Sequence, residues 1–379
     1  MPIATLRWSG TMVACLIGMS GLAAPALAQK PAKPANSPYV KLAAPWPDAD
    51  QLRQRKVQAE SRPLFAGDEP LVLVLSADFK AVRGDRTEGS THRFPASLSV
   101  GTSTTSPLPV TLGTRGHFRL RYASCAWPPL RVEFPKKESA GTVFDGQSAL
   151  KLVTHCRDND DYEQHVLREY LAYRIHGLVA PLAFRARLAR ITYVDTAGKP
   201  LTTRYGMFIE DDGDVARRAE ARAVEMPRVP FKDLEPEALN TMALFEYMIG
   251  NTDMSIVKVH NVKLMVTQTR TIYPVPYDFD FSGLVDTPYA NPDPKLGIST
   301  VRDRLYRGPC RSETELAPAL ETFRAKKPAI MALYDSLPDL TASYRRSARS
   351  YLEAFFSIIE HPDRAKKTFV DGCTRAGGM

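Results

Sequence analysis

Short apolar or alternating runs, broken by Gly, Ser and Pro, dominate residues 70–154 and predict β-strands. The clearest runs cover residues 71–75, 108–112, 118–122, 130–134 and 149–153. Two more strands are predicted at 188–194 and 203–209, and the turn-type sequence of residues 195–198 joins them into a hairpin. The first half of the chain is therefore predicted to be rich in β-structure.

Helical patterns dominate the second half. Apolar residues recur at three- and four-residue spacing over residues 161–178, which predicts an amphipathic helix. Residues 239–249 are apolar nearly all round, so a buried helix is predicted there. Two further strands are predicted at 262–266 and 271–277, and the pattern is helical from about residue 312 to the end. This order predicts an α+β chain with two packed lobes.

The first 28 residues have the three parts of a cleavable secretory signal. A positive charge at Arg7 precedes an apolar run over residues 12–22, and a small-x-small end follows at residues 26–28. The apolar run is shorter than the roughly 20 residues that span a bilayer. We therefore expect cleavage after Ala28 and export of a soluble protein, without a transmembrane segment, to the periplasm or the cell exterior. A lipoprotein attached through Cys15 is disfavoured, since more apolar residues follow Cys15 than precede it.

The rest of the chain divides into three predicted parts. A Pro- and Ala-rich, irregular linker, a β-rich N-terminal lobe and a mainly helical C-terminal lobe are predicted at residues 29–66, 67–210 and 211–379. The formal net charge of +8 is compatible with an anionic ligand such as a nucleotide. Lys and Arg form no block of five or more and no nucleic-acid motif accompanies the charge, so nucleic acid is not a predicted partner.

The chain has five cysteines, of which Cys15 belongs to the signal, and the other four allow three disulfide connectivities. An even number of cysteines in an exported chain favours disulfides. Cys125–Cys156 is the favoured pair because each cysteine follows or ends a strand-like run, which leaves Cys310 and Cys373 to pair by elimination. A cysteine-based metal site is not expected, since the sequence contains no C-x-x-C pair.

The richest set of polar residues lies between 250 and 283. Asp253 follows the predicted buried helix, Asn261 opens a strand, and Asp278 and Asp280 are two residues apart, hence on one face of an extended segment. Two carboxylates and an amide oxygen suit Mg²⁺ bridging phosphates, and a separate Asp could orient or deprotonate an attacking hydroxyl. The alternative interpretation is a turn Asn, a capping Asp and a hairpin with solvated carboxylates.

Lys151 lies in the middle of the apolar strand predicted at residues 149–153. It could reach a phosphate group and pair with a glutamate on the following helix. Glu163 and Glu169 both qualify, and Glu169 lies at the rim of the apolar face of that helix. The alternative interpretation is a lysine that extends from an edge strand into solvent.

These residues occur in the order of a protein-kinase-like fold: a strand Lys, a helix Glu, a hairpin, an Asp with a later Asn, and an Asp motif that ends in Gly. The sequence lacks His-Arg-Asp and a G-x-G-x-x-G loop. From Tyr247 to Tyr289 (YMIGNTDMSIVKVHNVKLM, then PVPYDFDFSGLVDTPY) the chain resembles the spore-coat-protein-H family of exported atypical kinases, and most closely its Gram-negative branch. The similarity is thinner over residues 115–210, and in all it covers about half of the chain.

The resemblance implies a two-lobed protein-kinase-like fold and phosphorylation of proteins that depends on ATP and on Mg²⁺ or Mn²⁺. By position, Asp253 resembles the catalytic-loop Asp. Asn261 and Asp278 resemble the metal ligands, with Asp280 as a second candidate acid.

The resemblance also implies a nucleotide site in the β-rich half. Lys151 resembles the phosphate-binding Lys, which Glu169 would hold in place. Glu210 follows an apolar strand and lies where a hinge segment would contact adenine. Together these residues would bind the nucleotide, and the metal ion held by Asn261, Asp278 and Asp280 would contact its phosphates.

The predicted function is transfer of the γ-phosphoryl group of ATP to a protein hydroxyl by an exported atypical kinase. An alternative is a non-enzymatic envelope protein that binds a partner or serves a structural role, which the missing glycine-rich loop favours. A third interpretation is a metal-dependent hydrolase of phosphoesters or carbohydrates, which the paired carboxylates permit but no nucleophile motif supports.

Overall fold

The computed structural model describes residues 38–101 and 106–374. The predicted signal peptide, residues 1–28, lies outside the described residues. The described part of the predicted linker contains helices α1 (Pro38–Ala43) and α2 (Ala49–Glu60) where irregular structure was expected. Most residues of α2 are strong helix formers such as Ala, Gln, Arg and Lys, which explains a helix with so few apolar positions.

The described residues form ten strands in two sheets. The strands are β1 (Leu71–Ala77), β2 (Phe94–Val100), β3 (Leu108–Thr114), β4 (Leu130–Glu133), β5 (Ala149–Val153), β6 (Ala186–Val194), β7 (Pro200–Ile209), β8 (Ala221–Val224), β9 (Val262–Thr267) and β10 (Ile272–Pro276). The first seven form a closed barrel, and the last three form a small antiparallel sheet in the order β10-β9-β8.

The barrel has the strand order β1-β2-β3-β4-β5-β7-β6. Neighbouring strands are antiparallel except β1 and β6, which pair in parallel from Leu71 beside Ala189 to Ser76 beside Val194. Aliphatic and aromatic side chains from all around the barrel form one buried cluster, which includes Leu73, Leu112, Phe144, Ile191, Tyr193 and Phe208. The barrel is therefore a packed hydrophobic core.

The predicted two-lobed protein-kinase-like fold is wrong, because the β-rich part closes on itself through the parallel pairing of β1 with β6. Alternation of apolar and polar residues predicts where strands run, but it does not say which strands meet at the edges of a sheet. One predicted strand is also absent from the sheets: residues 118–122 form a short 3-10 turn at Phe118–Leu120, in the loop between β3 and β4. That loop reaches the candidate site described below.

Ten helices occur in the described residues. After α1 and α2 they are α3 (Phe79–Gly84), α4 (Lys136–Ser139), α5 (Asp160–Val179), α6 (Asp212–Arg218), α7 (Pro236–Ile249), α8 (Glu313–Ala332), α9 (Ala342–Ile359) and α10 (Pro362–Ala365). Helices α5, α7, α8 and α9 pack around a second and larger hydrophobic core, in which α7 is buried as its apolar sequence predicts. In the part of the chain that the structure describes, each helix is too short or too polar to cross a membrane.

The structure confirms both predicted disulfides, Cys125–Cys156 and Cys310–Cys373. The first joins the loop between β3 and β4 to the segment between β5 and α5. The second joins the segment before α8 to the C-terminal segment. Paired cysteines fit an exported protein, because disulfides persist in oxidising compartments.

Candidate functional site

The end of helix α7 holds the loop that carries Asp253. Gly250 ends the helix in the left-handed conformation, with φ +67°, where its N–H caps the last turn. The N–H of Asn251 donates to the carbonyl of Glu246 at 2.8 Å, and the N–H of Asp253 donates to Asn251 Oδ1 at 3.1 Å. These hydrogen bonds connect Asp253 to a buried helix and give its carboxylate a rigid support.

Asp253 is hydrogen-bonded to two residues that follow it in the chain. His260 Nε2 lies 3.2 Å from Asp253 Oδ1. The amide nitrogen of Asn261 donates to the carbonyl of Asp253 at 2.7 Å and to Oδ2 at 3.2 Å. The hydrogen bond with Asp253 is the main reason why the pKa of His260 is raised. The Asp253 side chain remains 40% exposed. Its carboxylate is therefore held in place by His260 and Asn261 and is still accessible from solvent.

Asp278 lies beside Asn261, directly after β10. The N–H of Tyr277 donates to the Asn261 carbonyl at 3.0 Å, and the N–H of Asp278 donates to the Tyr173 hydroxyl at 2.9 Å. Asn261 and Asp278 both have positive φ angles, 53° and 66°. Asn and Asp tolerate this conformation better than other non-glycine residues. Strained backbone of this kind is concentrated at functional sites, which makes the two residues candidates for a function.

The structure groups Glu169, on α5, with Asp278 and Asp280. Glu169 is 2% exposed, and its Oε1 atom has no hydrogen-bond partner in the described structure. Burial raises its pKa well above the ordinary value, and the charges of Asp280 and Asp278 raise it further. Asp280 is 5% exposed, and burial followed by the charge of Asp278 raises its pKa to about 7. The predicted reason for placing Asp278 and Asp280 together, an extended strand, does not apply, since both follow the end of β10.

Two residues that the sequence pattern did not predict, Arg119 and Tyr289, contact this acidic cluster. The Tyr289 hydroxyl donates to Asp280 Oδ2 at 2.8 Å, and Arg119 Nη1 lies 3.9 Å from the same oxygen. Another nitrogen of Arg119 donates to the carbonyl of Thr154 at 2.6 Å. The cavity between these groups has a volume of only about 10 Å³. Two of the acids, Glu169 and Asp280, therefore line a space about large enough for one water molecule or ion.

Lys151 does not pair with Glu169. Its Nζ donates to Asp212 Oδ1 at 2.7 Å and lies 4.6 Å from the centre of the Tyr277 ring. Lys263, on β9, lies 3.3 Å from the other oxygen of Asp212. Burial lowers the pKa of Lys151, and Asp212 opposes that shift. Lys263 was missed in the sequence, although it lies in an apolar strand just as Lys151 does.

Glu210 is fully buried and held by two arginines. Arg185 donates to Glu210 Oε1 at 2.7 Å, and Arg218 donates to Oε2 at 2.9 Å. The Glu210 N–H donates to the Arg185 carbonyl at 2.9 Å. Because these groups already have partners, they are not available to bind a nucleotide base, which was the role implied by the resemblance.

No group of three or more His, Cys, Asp or Glu residues is arranged to hold a metal ion by itself, within the ranges 38–101 and 106–374. Mg²⁺, however, is usually held by one or two carboxylates, with substrate phosphates and waters as its other ligands. Asn261, Asp278 and Asp280 supply oxygen donors of that kind, and the unpartnered oxygen of Glu169 is a further potential donor beside them. The donor set therefore fits a metal ion that arrives together with a phosphate ligand.

Gly283 is required for close packing next to this site. Its N–H donates to the Gly250 carbonyl at 3.1 Å, and a Cβ atom at Gly283 would clash with the carbonyl oxygen of Val301 and lie 2.8 Å from Arg302 Cα. We expect Gly283→Ala to lower the free energy of unfolding by about 1–3 kcal/mol, because backbone atoms cannot move aside easily. Urea denaturation measures this.

Gly84→Ala is the matched control for that substitution. A Cβ at Gly84 has nothing within 4 Å, so this change should alter the free energy of unfolding by less than about 0.5 kcal/mol. Equal stabilities of the Gly283 variant and the wild type would show that the segment after Asp280 is not closely packed against Val301.

No family model matches the chain, and no curated protein is similar enough to count as a relative. The function must therefore be inferred from the residues of the site.

Proposed function

We propose that this protein is an exported phosphotransferase, which transfers the γ-phosphoryl group of ATP to a protein hydroxyl with Mg²⁺ or Mn²⁺ as cofactor. The main support is the position of Tyr277 and Asp278, which are adjacent in the chain. Lys151 and Lys263 lie over the Tyr277 ring, and the charge of Asp278 raises the pKa of Glu169 and Asp280. The two lysines and the acidic residues therefore meet at adjacent positions of the chain. The proposal does not require a kinase-like fold, since one chemistry recurs on unrelated folds.

The two sets of charges suit the two parts of a metal–triphosphate. Arg115, in the loop after β3, lies near enough to influence the pKa of both Lys151 and Glu169, so Lys151 and Glu169 belong to one region. Lys151 would bind the phosphate chain. Asn261, Asp278 and Asp280 would hold the metal ion, which neutralises negative charge on the transferring phosphoryl group. Glu169 would act with these acids, in place of its expected role as the partner of Lys151.

Asp253 would position the acceptor. In the proposed step, the hydroxyl oxygen of the protein substrate forms a bond to the γ-phosphorus, and the bond from that phosphorus to the bridging oxygen of ADP breaks. ADP leaves with the electron pair of that bond. The hydroxyl proton passes to the carboxylate of Asp253 and from there to water. The 40% exposure of the Asp253 side chain supports this role, because a protein hydroxyl can approach it.

The proposal includes removal of residues 1–28 and a location in the periplasm or outside the cell. The two disulfides support an oxidising compartment. The substrate would then be another protein in the same compartment.

A second candidate function is a non-enzymatic envelope protein that binds a partner. Two observations favour it. Lys151 is already paired with Asp212 at 2.7 Å, and the cavity at the acidic cluster is only about 10 Å³. Under this alternative, the buried charges would serve to define the structure and no nucleotide would bind.

A titration of the mature, oxidised protein with ATP and Mg²⁺ or Mn²⁺ distinguishes the two functions. Wild type should bind ATP only when metal is present. Asp278→Asn should weaken binding by at least about tenfold, or ~1.4 kcal/mol, because a metal ligand loses its charge. Asn is the suitable replacement, since it tolerates the positive φ of 66° at this position.

Asp335→Asn is the matched control, since Asp335 is a surface carboxylate paired with Arg349. This variant should bind ATP with the affinity of the wild type. If folded wild type bound no ATP, or if the Asp278 variant bound it equally well with metal, the phosphotransferase proposal would be wrong. Absence of binding would favour the partner-binding function.

A further inference from the structure

Two lysines share a single carboxylate in the proposed phosphate site. Lys151 Nζ lies 2.7 Å from Asp212 Oδ1, and Lys263 Nζ lies 3.3 Å from Asp212 Oδ2. Their side chains are only 23% and 12% exposed. Two ammonium groups are thus held close together and partly away from water, which strengthens their attraction for an anion.

The surroundings of the lysines have both charge and an aromatic surface. The Tyr277 ring centre is 4.6 Å from Lys151 Nζ and 5.7 Å from Lys263 Nζ. Glu225 lies at the rim of the site, where its side chain is 69% exposed, and its Oε1 atom pairs with Lys263 Nζ at 2.5 Å. Asp212 is the carboxylate that lies between the lysines, where a phosphate oxygen of a ligand would compete with it for the same N–H donors.

Recognition of a base has no comparable support. Both oxygens of Glu210 accept hydrogen bonds from arginines, and its backbone N–H already has a partner. A purine ring would need an apolar surface, and the ammonium groups of Lys151 and Lys263 already lie over the aromatic surface of the site, the Tyr277 ring. The structure thus offers two lysines for phosphates, whereas the carboxylate and the N–H of Glu210, the residue expected to contact the base, already have partners.

We propose that the site recognises its phosphoryl donor through the phosphate chain, with Lys151 and Lys263 acting together, and that the base contributes little to affinity. This inference rests on the proposed phosphotransferase function and widens its donor from ATP to a class: compounds with a terminal triphosphate, whatever the base. Asp212 competes with the donor for the two lysines in the free protein.

The first experiment measures the binding of four compounds to the mature, oxidised protein with Mg²⁺. ATP, GTP and inorganic tripolyphosphate should have dissociation constants within about threefold of one another, a difference of less than 1 kcal/mol. Adenosine should not bind at millimolar concentration. If ATP bound with metal but GTP and tripolyphosphate did not, base recognition would be established and this inference overturned, while the phosphotransferase proposal would stand.

The second experiment tests the two lysines and the aspartate. Lys263→Met should weaken the binding of ATP and tripolyphosphate alike by about tenfold or more, the usual effect of losing a charge-assisted hydrogen bond. Asp212→Asn should strengthen binding of both by several-fold, because the competing charge is removed. A purely structural role for Asp212 would give no gain in affinity.

Lys258→Met is the matched control, because Lys258 is also a lysine but lies exposed in the loop between Asp253 and β9. It should bind tripolyphosphate as the wild type does. Unchanged binding by the Lys263 variant, or no gain in affinity from Asp212→Asn, would overturn this inference but leave the phosphotransferase proposal standing. Failure of folded wild type to bind any of the phosphate compounds would overturn both this inference and the phosphotransferase proposal.

Discussion

Replacement of Asp253 by Asn is expected to slow phosphoryl transfer by about 10²–10⁴-fold, the range in which a positioned acid or base contributes to a rate. The affinity for the metal–triphosphate donor should stay within about threefold of the wild type, since this residue acts on the acceptor. Single-turnover transfer of labelled phosphate to a protein substrate gives the rate. A separate titration gives the donor affinity.

The contact between Asp253 and His260 can be tested without an activity measurement, through the pKa of His260. The hydrogen bond to Asp253, 3.2 Å long, is the main cause of the raised pKa of His260. Asp253→Asn removes the negative charge, so the pKa of His260 should fall towards the ordinary value. Proton NMR of the imidazole follows this titration.

The surface variant Asp335→Asn again serves as the control for loss of one carboxylate. It should retain the wild-type transfer rate and the raised pKa of His260. A wild-type rate in Asp253→Asn would mean that Asp253 has a structural role. An unchanged pKa of His260 would mean that the two side chains are not in contact in solution.

Removal of either disulfide is expected to lower the free energy of unfolding by about 4 kcal/mol, from the loop-closure entropy that each cross-link removes from the unfolded chain. The sequence separations are 31 residues for Cys125–Cys156 and 63 residues for Cys310–Cys373. Urea denaturation of the two double Cys→Ser variants measures these losses. A loss below about 1 kcal/mol in both would contradict the expectation.

The two disulfides should differ in their effect on donor binding. Cys125 lies in the same loop as Arg119, whose side chain reaches Asp280, and the disulfide ties this loop to Cys156. The Trp127 N–H, in the same loop, donates to the Cys156 carbonyl at 2.8 Å. Release of this loop should weaken binding of the metal–triphosphate by about tenfold, the cost of one lost charge-assisted interaction.

The double variant of Cys310 and Cys373 is the matched control. It should lose a similar amount of stability, but it keeps the Cys125–Cys156 disulfide that ties down the loop of Arg119. Below its unfolding temperature it should bind the donor as the wild type does. Equal donor affinities in the two double variants would show that the disulfide does not position the loop.

Much of the secondary structure could be predicted because it depends on nearby residues. The buried helix predicted at 239–249 lies within α7, and the strand predicted at 262–266 lies within β9. The pairing of the four cysteines was also predicted, because only three connectivities had to be considered. The helix α2 was missed, since its residues have helix propensity but little amphipathic pattern.

The candidate site could be predicted in part. Asp253, Asn261 and Asp278 lie within 25 positions of one another in the chain (278 − 253 = 25) and are also neighbours in space. The partner of Lys151 could not be predicted in this way. Asp212 is 61 residues away in the sequence, and nothing in the local pattern distinguishes it from Glu169 or Glu163.

By itself, the sequence determined the residue types of the site, the positions of most strands and helices, and the disulfide pairing, since these follow from local pattern and composition. Only the tertiary structure decided that β1 pairs in parallel with β6 to close a barrel, that Lys151 and Lys263 share Asp212, and that Glu169 joins the acids. The physical reason is that edge pairing and partners of buried charges depend on which distant segments pack together, and long-range packing leaves no periodic signal in the chain.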